Sequence, residues 1–133
     1  RRADWLTCNT TEAAALTGQD APAAALRALA ARLTGHGRPG ARVLVRTGPD
    51  GCLLSSFSAT NPLAVPAFPV TELDSSGAGD THTGVFIAAL AGGADAPEAA
   101  RRANAAAAFS VTRRGPATAP NATELAQFLS RTG

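Results

Sequence analysis

The sequence predicts an α/β fold, and three observations predict it. Val43-Leu44-Val45 is a short apolar run of strand length, and Thr47-Gly-Pro-Asp-Gly51 turns it back into a second such run, Cys52-Leu53-Leu54. Around that pair, apolar residues recur at helical spacing, as in Leu26, Leu29 and Leu33. Finally, the helical segments alternate with the few strand-like ones and are not segregated from them.

Each element follows from its own residues. Asn9 to Thr17 reads as a short helix, with Asn9 or Thr10 as cap and Glu12 in the first turn, where the helix dipole favours a carboxylate. Asp20-Ala-Pro22 opens a longer helix in which Asp20 can cap and Pro22 is tolerated at the start, and the glycines from Gly35 to Gly40 end it. Three prolines among apolar residues make Asn61 to Pro69 an extended, edge-like connection, and Val70 to Leu73 a further short strand. From Gly77 to Ala91 the pattern is helical and apolar nearly all round, which predicts burial inside a larger core. Gly92-Gly93 stops this helix, and Asp95-Ala-Pro97-Glu98 starts the next one, which reaches Val111 and carries Asn104 on an alanine-rich stretch. A loop from Thr112 to Pro120 follows, and Asn121 caps a last helix that ends at Arg131. The strands are too few to complete a sheet.

Bulk composition narrows the function. The 133 residues are 45% hydrophobic and 17% charged, which is the balance of a globular domain and not of a disordered chain. Scarce aromatics (5%) and abundant alanine predict slim, closely packed helices. A net charge of +2, with arginines paired only at Arg1-Arg2, Arg101-Arg102 and Arg113-Arg114, gives no footing for nucleic acid. Cys8 and Cys52 form no CxxC and have no histidine at metal spacing, so a zinc site is not expected. No segment resembles a secretion signal, and no apolar run reaches the roughly 18 residues of a membrane span. The expectation is a cytoplasmic enzyme with reduced thiols. The chain has no methionine and opens on Arg1-Arg2-Ala3-Asp4, and it is expected to be part of a longer protein.

The chemistry concentrates in DSSGAGDTHTGVFIAAL, Asp74 to Leu90. A helix that begins with two glycines and a carboxylate offers free N–H groups to an anion, and Asp80 is either a cap or a group facing a reaction. Gly77-Ala78-Gly79-Asp80 is no P-loop, because no Gly-Lys-Ser/Thr follows, and it lacks the three-glycine dinucleotide spacing that an oxidoreductase would show. A plain strand-to-helix turn remains open for the motif taken alone. Asp74, Ser75 and Ser76 add oxygen ligands just before the glycines, and a carboxylate at the head of so apolar a helix would be expensive to bury without a partner.

Three other segments complete a pattern: Asn9-Thr-Thr-Glu12 (N-x-x-E), the strand and Gly-x-x-Gly turn from Val43 to Gly51, and Ser110-Val-Thr-Arg-Arg-Gly115 after the Asn104 helix. In this order they resemble the carboxy-terminal half of the ribokinase-like (PfkB-type) carbohydrate kinases, over nearly the whole chain. The resemblance implies a partial ribokinase-like, Rossmann-like three-layer domain, with residues 1–133 as its carboxy-terminal nucleotide-binding and catalytic portion and without the amino-terminal half and its lid. It implies phosphoryl transfer from ATP to a hydroxyl of a small sugar or nucleoside, with Mg2+, with K+ as a further cation, and with a homodimeric parent as one option. A truncated, non-catalytic nucleotide-binding or regulatory module is the alternative.

Carried over residue by residue, the resemblance makes Asp80 the catalytic base and Gly77, Ala78 and Gly79 the anion hole. Asn9 and Glu12 organise phosphate and magnesium, Arg46, Thr47, Gly48, Pro49, Asp50 and Gly51 form the nucleotide loop, and Gly79 and Asn104 complete the nucleotide contacts. Asp74, Ser76, Ser110, Arg113, Gly115 and Ala119 match the monovalent-cation positions. Two positions depart from the family pattern: Arg46 stands where the loop usually begins with threonine, and Ala119 has no hydroxyl where serine is common. Structural readings stand beside these roles. Glu12 can be a first-turn carboxylate, Asn104 a core amide, His36 an exposed loop residue, His82 a packing or capping side chain, and Arg113 a charge near a helix end.

Overall fold

Two internally packed units make up the chain, Arg1–Val65 and Pro66–Gly133. A computed structural model describes residues 5–35, 41–55, 62–70, 77–112 and 122–132.

In the first unit a strand not expected from the sequence, β1 (Trp5–Asn9), leads directly into helix α1 (Thr10–Thr17). Gly18 ends α1 in the left-handed conformation at φ 73°, and its N–H donates to the Ala14 carbonyl. Helix α2 (Pro22–Gly35) begins with its proline at the first position, and the Ala21 carbonyl accepts the first helical hydrogen bond from Ala25 N–H. Asp20, expected as the cap, therefore sits one residue before the cap position, which Ala21 occupies.

The chain returns in β2 (Arg42–Arg46), parallel to β1 with Trp5 opposite Arg42 and Asn9 opposite Arg46. A parallel return needs a crossover of this kind, here supplied by two helices. The 3-10 turn Gly48–Asp50 then reverses the chain into β3 (Gly51–Leu54), antiparallel to β2 with Leu44 opposite Leu54. Ser55 extends this pair, its N–H donating to the Val43 carbonyl at 2.9 Å and its Oγ accepting from Val43 N–H at 2.8 Å. Strand β4 (Leu63–Pro66) ends the order β1-β2-β3-β4, in keeping with the edge position expected of the proline-rich segment. Val43 and Val45 meet Cys8, Ala13, Ala25, Leu26 and Leu29 in one buried cluster that holds both helices against the sheet.

The second unit is helical: α3 (Ala78–Ala91), α4 (Ala96–Val111) and α5 (Ala122–Thr132). Asp95 caps α4, accepting from Glu98 N–H at 2.9 Å, and Pro97 lies in the first turn as the sequence predicts. Ala99, Ala100, Ala103, Ala105 and Ala106 are wholly buried, and α4 packs along α3 on this side-chain-poor surface. At its other end, Phe109 and Phe128 meet edge to face at 6.4 Å between centroids, with Phe68 against Phe128 at 5.6 Å.

The burial expected of α3 is corrected in part. Thr81, His82, Phe86 and Ala89 are buried, but Ile87 is 47% exposed and Gly84 and Ala88 also face outward. A sequence apolar on every side carries no signal for which side the fold covers, and here it covers one. The strand expected at Val70 to Leu73, the loop beyond Thr112, the Asn121 cap and His36 lie outside the described residues, apart from Val70 and Thr112 themselves.

Candidate active site

Each unit contributes a group of the residues singled out by sequence. In the first, parallel strands β1 and β2 end side by side at Asn9 and Arg46, and the chain leaves both ends toward the same edge. In open α/β sheets the crevice outside the carboxyl ends of the strands is where ligands bind. Helix α1 starts at that edge because Asn9 caps it. Its Oδ1 accepts from Glu12 N–H at 2.7 Å, while Glu12 Oε1 accepts from Asn9 N–H at 2.9 Å, a reciprocal capping box. The N-x-x-E spacing is the spacing of that box, so the structural reading of Glu12 holds. The box does not exhaust the carboxylate, however, which is 57% exposed and reaches Arg46 Nη2 at 3.7 Å.

Arg46 in turn begins the loop. Thr47 N–H donates to the Gly51 carbonyl at 2.9 Å and closes Gly48, Pro49 and Asp50 into a single turn. Gly48 at φ 64° and Gly51 at φ 108° occupy backbone conformations that side-chain-bearing residues rarely adopt, which is why the turn needs both. Asn9, Glu12, Arg46 and the Thr47–Gly51 turn are thus brought together at one sheet edge. Burial, and then the Glu12 carboxylate, push the thiol of neighbouring Cys8 above its ordinary value, with Arg46 partly opposing them.

In the second unit, Gly77 is the N-cap of α3, left-handed at φ 75° and without any side-chain cap bond. Thr81 N–H donates to the Gly77 carbonyl at 3.0 Å, so Ala78, Gly79 and Asp80 occupy the positions whose N–H groups have no partner within the helix. Asp80 is the third helical residue and is exposed. It is not the cap, and the burial cost anticipated for it from the sequence does not arise.

Two residues further, His82 is buried, and its Nε2 lies 2.8 Å from Asn104 Oδ1 in the middle of α4. Asn104 Nδ2 donates to the Pro66 carbonyl at 3.1 Å. The packing reading of His82 and the core-amide reading of Asn104 therefore meet in one hydrogen-bonded chain. Sequence reasoning treated the two residues separately, since a spacing of 22 residues across two helices leaves no local signal.

Of the cation positions, Ser110 is buried near the end of α4, with its Oγ donating to the Ala107 carbonyl at 3.0 Å. Asp74, Ser76, Arg113, Gly115 and Ala119 lie outside the described residues. No cluster of three or more metal-binding His, Cys, Asp or Glu side chains occurs among the described residues, and no helix among them is long and apolar enough to cross a membrane.

The first unit has a closed glycine turn at a sheet edge and the second a glycine-capped helix start, in an α/β protein; both are backbone arrangements of a kind that suits anionic groups. The chain belongs to the pfkB family of carbohydrate kinases, whose family model matches residues 1–124. It is 37% identical over 116 residues to the uncharacterized sugar kinase YegV of Escherichia coli, covering 83% of this chain and 36% of that protein. Ribokinase from Thermotoga maritima superimposes with a TM-score of 0.80 at 33% identity, over 96% of this chain and 42% of that one. An Escherichia coli protein assigned as a ribokinase II, solved in complex with ATP and Mg2+, matches with a TM-score of 0.80 at 32% identity, over 96% of this chain and 39% of that one. The chain therefore has the ribokinase fold as a partial domain, spanning about two fifths of the length of these relatives.

Proposed function

We propose that this chain is the nucleotide-binding and catalytic portion of an ATP-dependent kinase that phosphorylates a hydroxyl of a small sugar or nucleoside. The observation that carries the reading is the head of α3: a glycine caps it, its first N–H groups are unused within the helix, and the Asp80 carboxylate stands exposed beside them without serving as the cap. That supports the second of the two roles the sequence left open for Asp80. As general base, Asp80 takes the proton of the acceptor hydroxyl as its oxygen attacks the γ-phosphorus of ATP and the bond from that phosphorus to the oxygen of departing ADP breaks. The N–H groups at Gly77, Ala78 and Gly79 meet the charge that develops on the transferred group, which suits a reaction governed by positioning and electrostatics.

The first unit supplies the nucleotide side of the proposal. The Arg46–Gly51 turn cradles the nucleotide, and Asn9 holds Glu12 so that its exposed carboxylate can organise a hydrated Mg2+ and phosphate. Bound ATP would supply the transferred phosphoryl group, and Mg2+ held beside Glu12 would neutralise phosphate charge. Asn104, buried and donating to the Pro66 carbonyl, stands at the position that the resemblance puts beside the adenine or ribose. K+ near Ser110 and the neighbouring family positions is part of the same proposal. Equal activity of the complete kinase in K+ and in a bulky organic cation, at fixed ionic strength, would remove it.

Equilibrium binding of labelled ATP and labelled NAD to the purified chain tests the reading. ATP should bind with Mg2+ and NAD should not; NAD binding, or no ATP binding, would overturn it. The chain alone should show no useful turnover, because it spans only 36% to 42% of its relatives, and acceptor alignment and water exclusion supply much of such a rate. Robust ATP-dependent sugar phosphorylation by the 133-residue chain would contradict this part.

A further inference from the structure

The head of α3 poses a structural difficulty. Its cap, Gly77, and its second helical residue, Gly79, are both glycines, no side chain caps it, and Gly84 lies further along. Glycines weaken a helix by leaving the backbone more freedom to lose. A helix end that is to present N–H groups and a carboxylate in fixed positions needs a restraint from somewhere else.

The His82–Asn104–Pro66 chain supplies one. The Pro66 carbonyl can only accept, so the Asn104 atom 3.1 Å from it must be the amide nitrogen, and the atom turned to His82 must be the amide oxygen. An amide oxygen can only accept, so His82 Nε2 must carry a proton. The three groups form a directed series, imidazole N–H to amide oxygen and amide N–H to carbonyl, with both side chains 4% exposed. His82 is the fifth residue of α3, one turn beyond the helix head, and its backbone lies directly after Thr81, whose N–H closes the first turn on Gly77.

We propose that His82 is a positioning residue: as the Nε2–H form it ties α3, one turn from its start, to the middle of α4 and to the backbone at Pro66, and so fixes the Gly77–Asp80 head. The role in phosphoryl transfer rests on the function proposed above, but the tie itself does not. The inference also assigns Asn104 inward, as the middle member of the series.

Three measurements on the full 133-residue chain test it. Nitrogen-15 NMR of histidine should show His82 with its proton on Nε2; a neutral ring protonated only on Nδ1 overturns the inference without any variant. His82→Phe keeps a ring but removes the donor that His82 gives the Asn104 oxygen, and His82→Gln can restore a donor from its side-chain amide. Exchange of the Thr81 N–H should accelerate by about tenfold or more in His82→Phe and return toward the native rate in His82→Gln. Native Thr81 exchange in a folded His82→Phe chain overturns the inference, as does a His82→Gln chain no better protected than His82→Phe. ATP affinity read on the same three proteins should follow the same order. If Thr81 exchange behaves as expected while none of the three binds ATP, the tie stands and the nucleotide reading fails.

Discussion

Asp80→Asn distinguishes a reacting carboxylate from one that merely starts a helix. Asparagine keeps the size of the side chain and cannot accept the proton. The structure sets the expected cost to the fold. Asp80 is exposed, is the third residue of α3 and does not cap it, so only the attraction between its charge and the helix dipole is lost, at most about 1 kcal/mol and reduced by salt. The cost to the chemistry is that of a general base, on the order of 100- to 10,000-fold in kcat. In a kinase completed to the length of its relatives, ADP release followed at saturating acceptor should fall by that factor, while KM for ATP changes little. Thermal melting of the same protein should shift by no more than a few degrees. A variant with near-normal turnover would remove Asp80 from the mechanism, whatever its stability.

Other substitutions probe the scaffold. Asn9→Ala removes one half of the capping box and should destabilise the first unit by about 1 kcal/mol, read as a fall in urea midpoint; an unchanged midpoint would mean the box contributes nothing. Gly84→Ala places a Cβ where no atom lies within 4 Å on an exposed helical position, so it should stabilise the chain by about 0.5 to 1 kcal/mol, and a lower melting temperature would contradict that open space. Cys8 gives a pH dependence. Its folded thiol holds its proton above the ordinary value of 9.0, whereas the unfolded chain releases it there. Its contribution to stability is therefore fully present below pH 9.0 and lost as pH rises beyond it, so unfolding free energy should decline more steeply above that pH in the native chain than in Cys8→Ala. Parallel pH profiles would rule this out.

What could be read in advance was whatever local chemistry encodes. Asn9 with Glu12 three residues on, Asp95 before Pro97, and the glycine turn between two apolar triplets each specify a boundary within one turn of chain, and each boundary lies where it was expected. Strand β1 was missed because five residues ending in a helix cap offer no alternation and no turn of their own; its identity comes from pairing with β2, 37 residues away in register. The exposed flank of α3 was missed for the opposite reason, an apolar sequence on every side. In the candidate site, the glycine-capped helix head and the sheet-edge turn were legible from glycine and carboxylate placement. The His82–Asn104 bond was not, since it depends on how α3 packs against α4.

If Asn9 and Glu12 organise phosphate and metal as proposed, their capping box makes one pair of letters answer to two demands. A chain that lost its chemistry would still be under pressure to keep N-x-x-E, because the helix start requires it, so the motif by itself cannot certify an active kinase. The reverse also follows: an alanine scan at either position confounds misfolding with lost catalysis. Glutamine at position 12 untangles them. Its side-chain oxygen can still accept from Asn9 N–H and preserve the box, while the negative charge that the proposed metal role needs disappears.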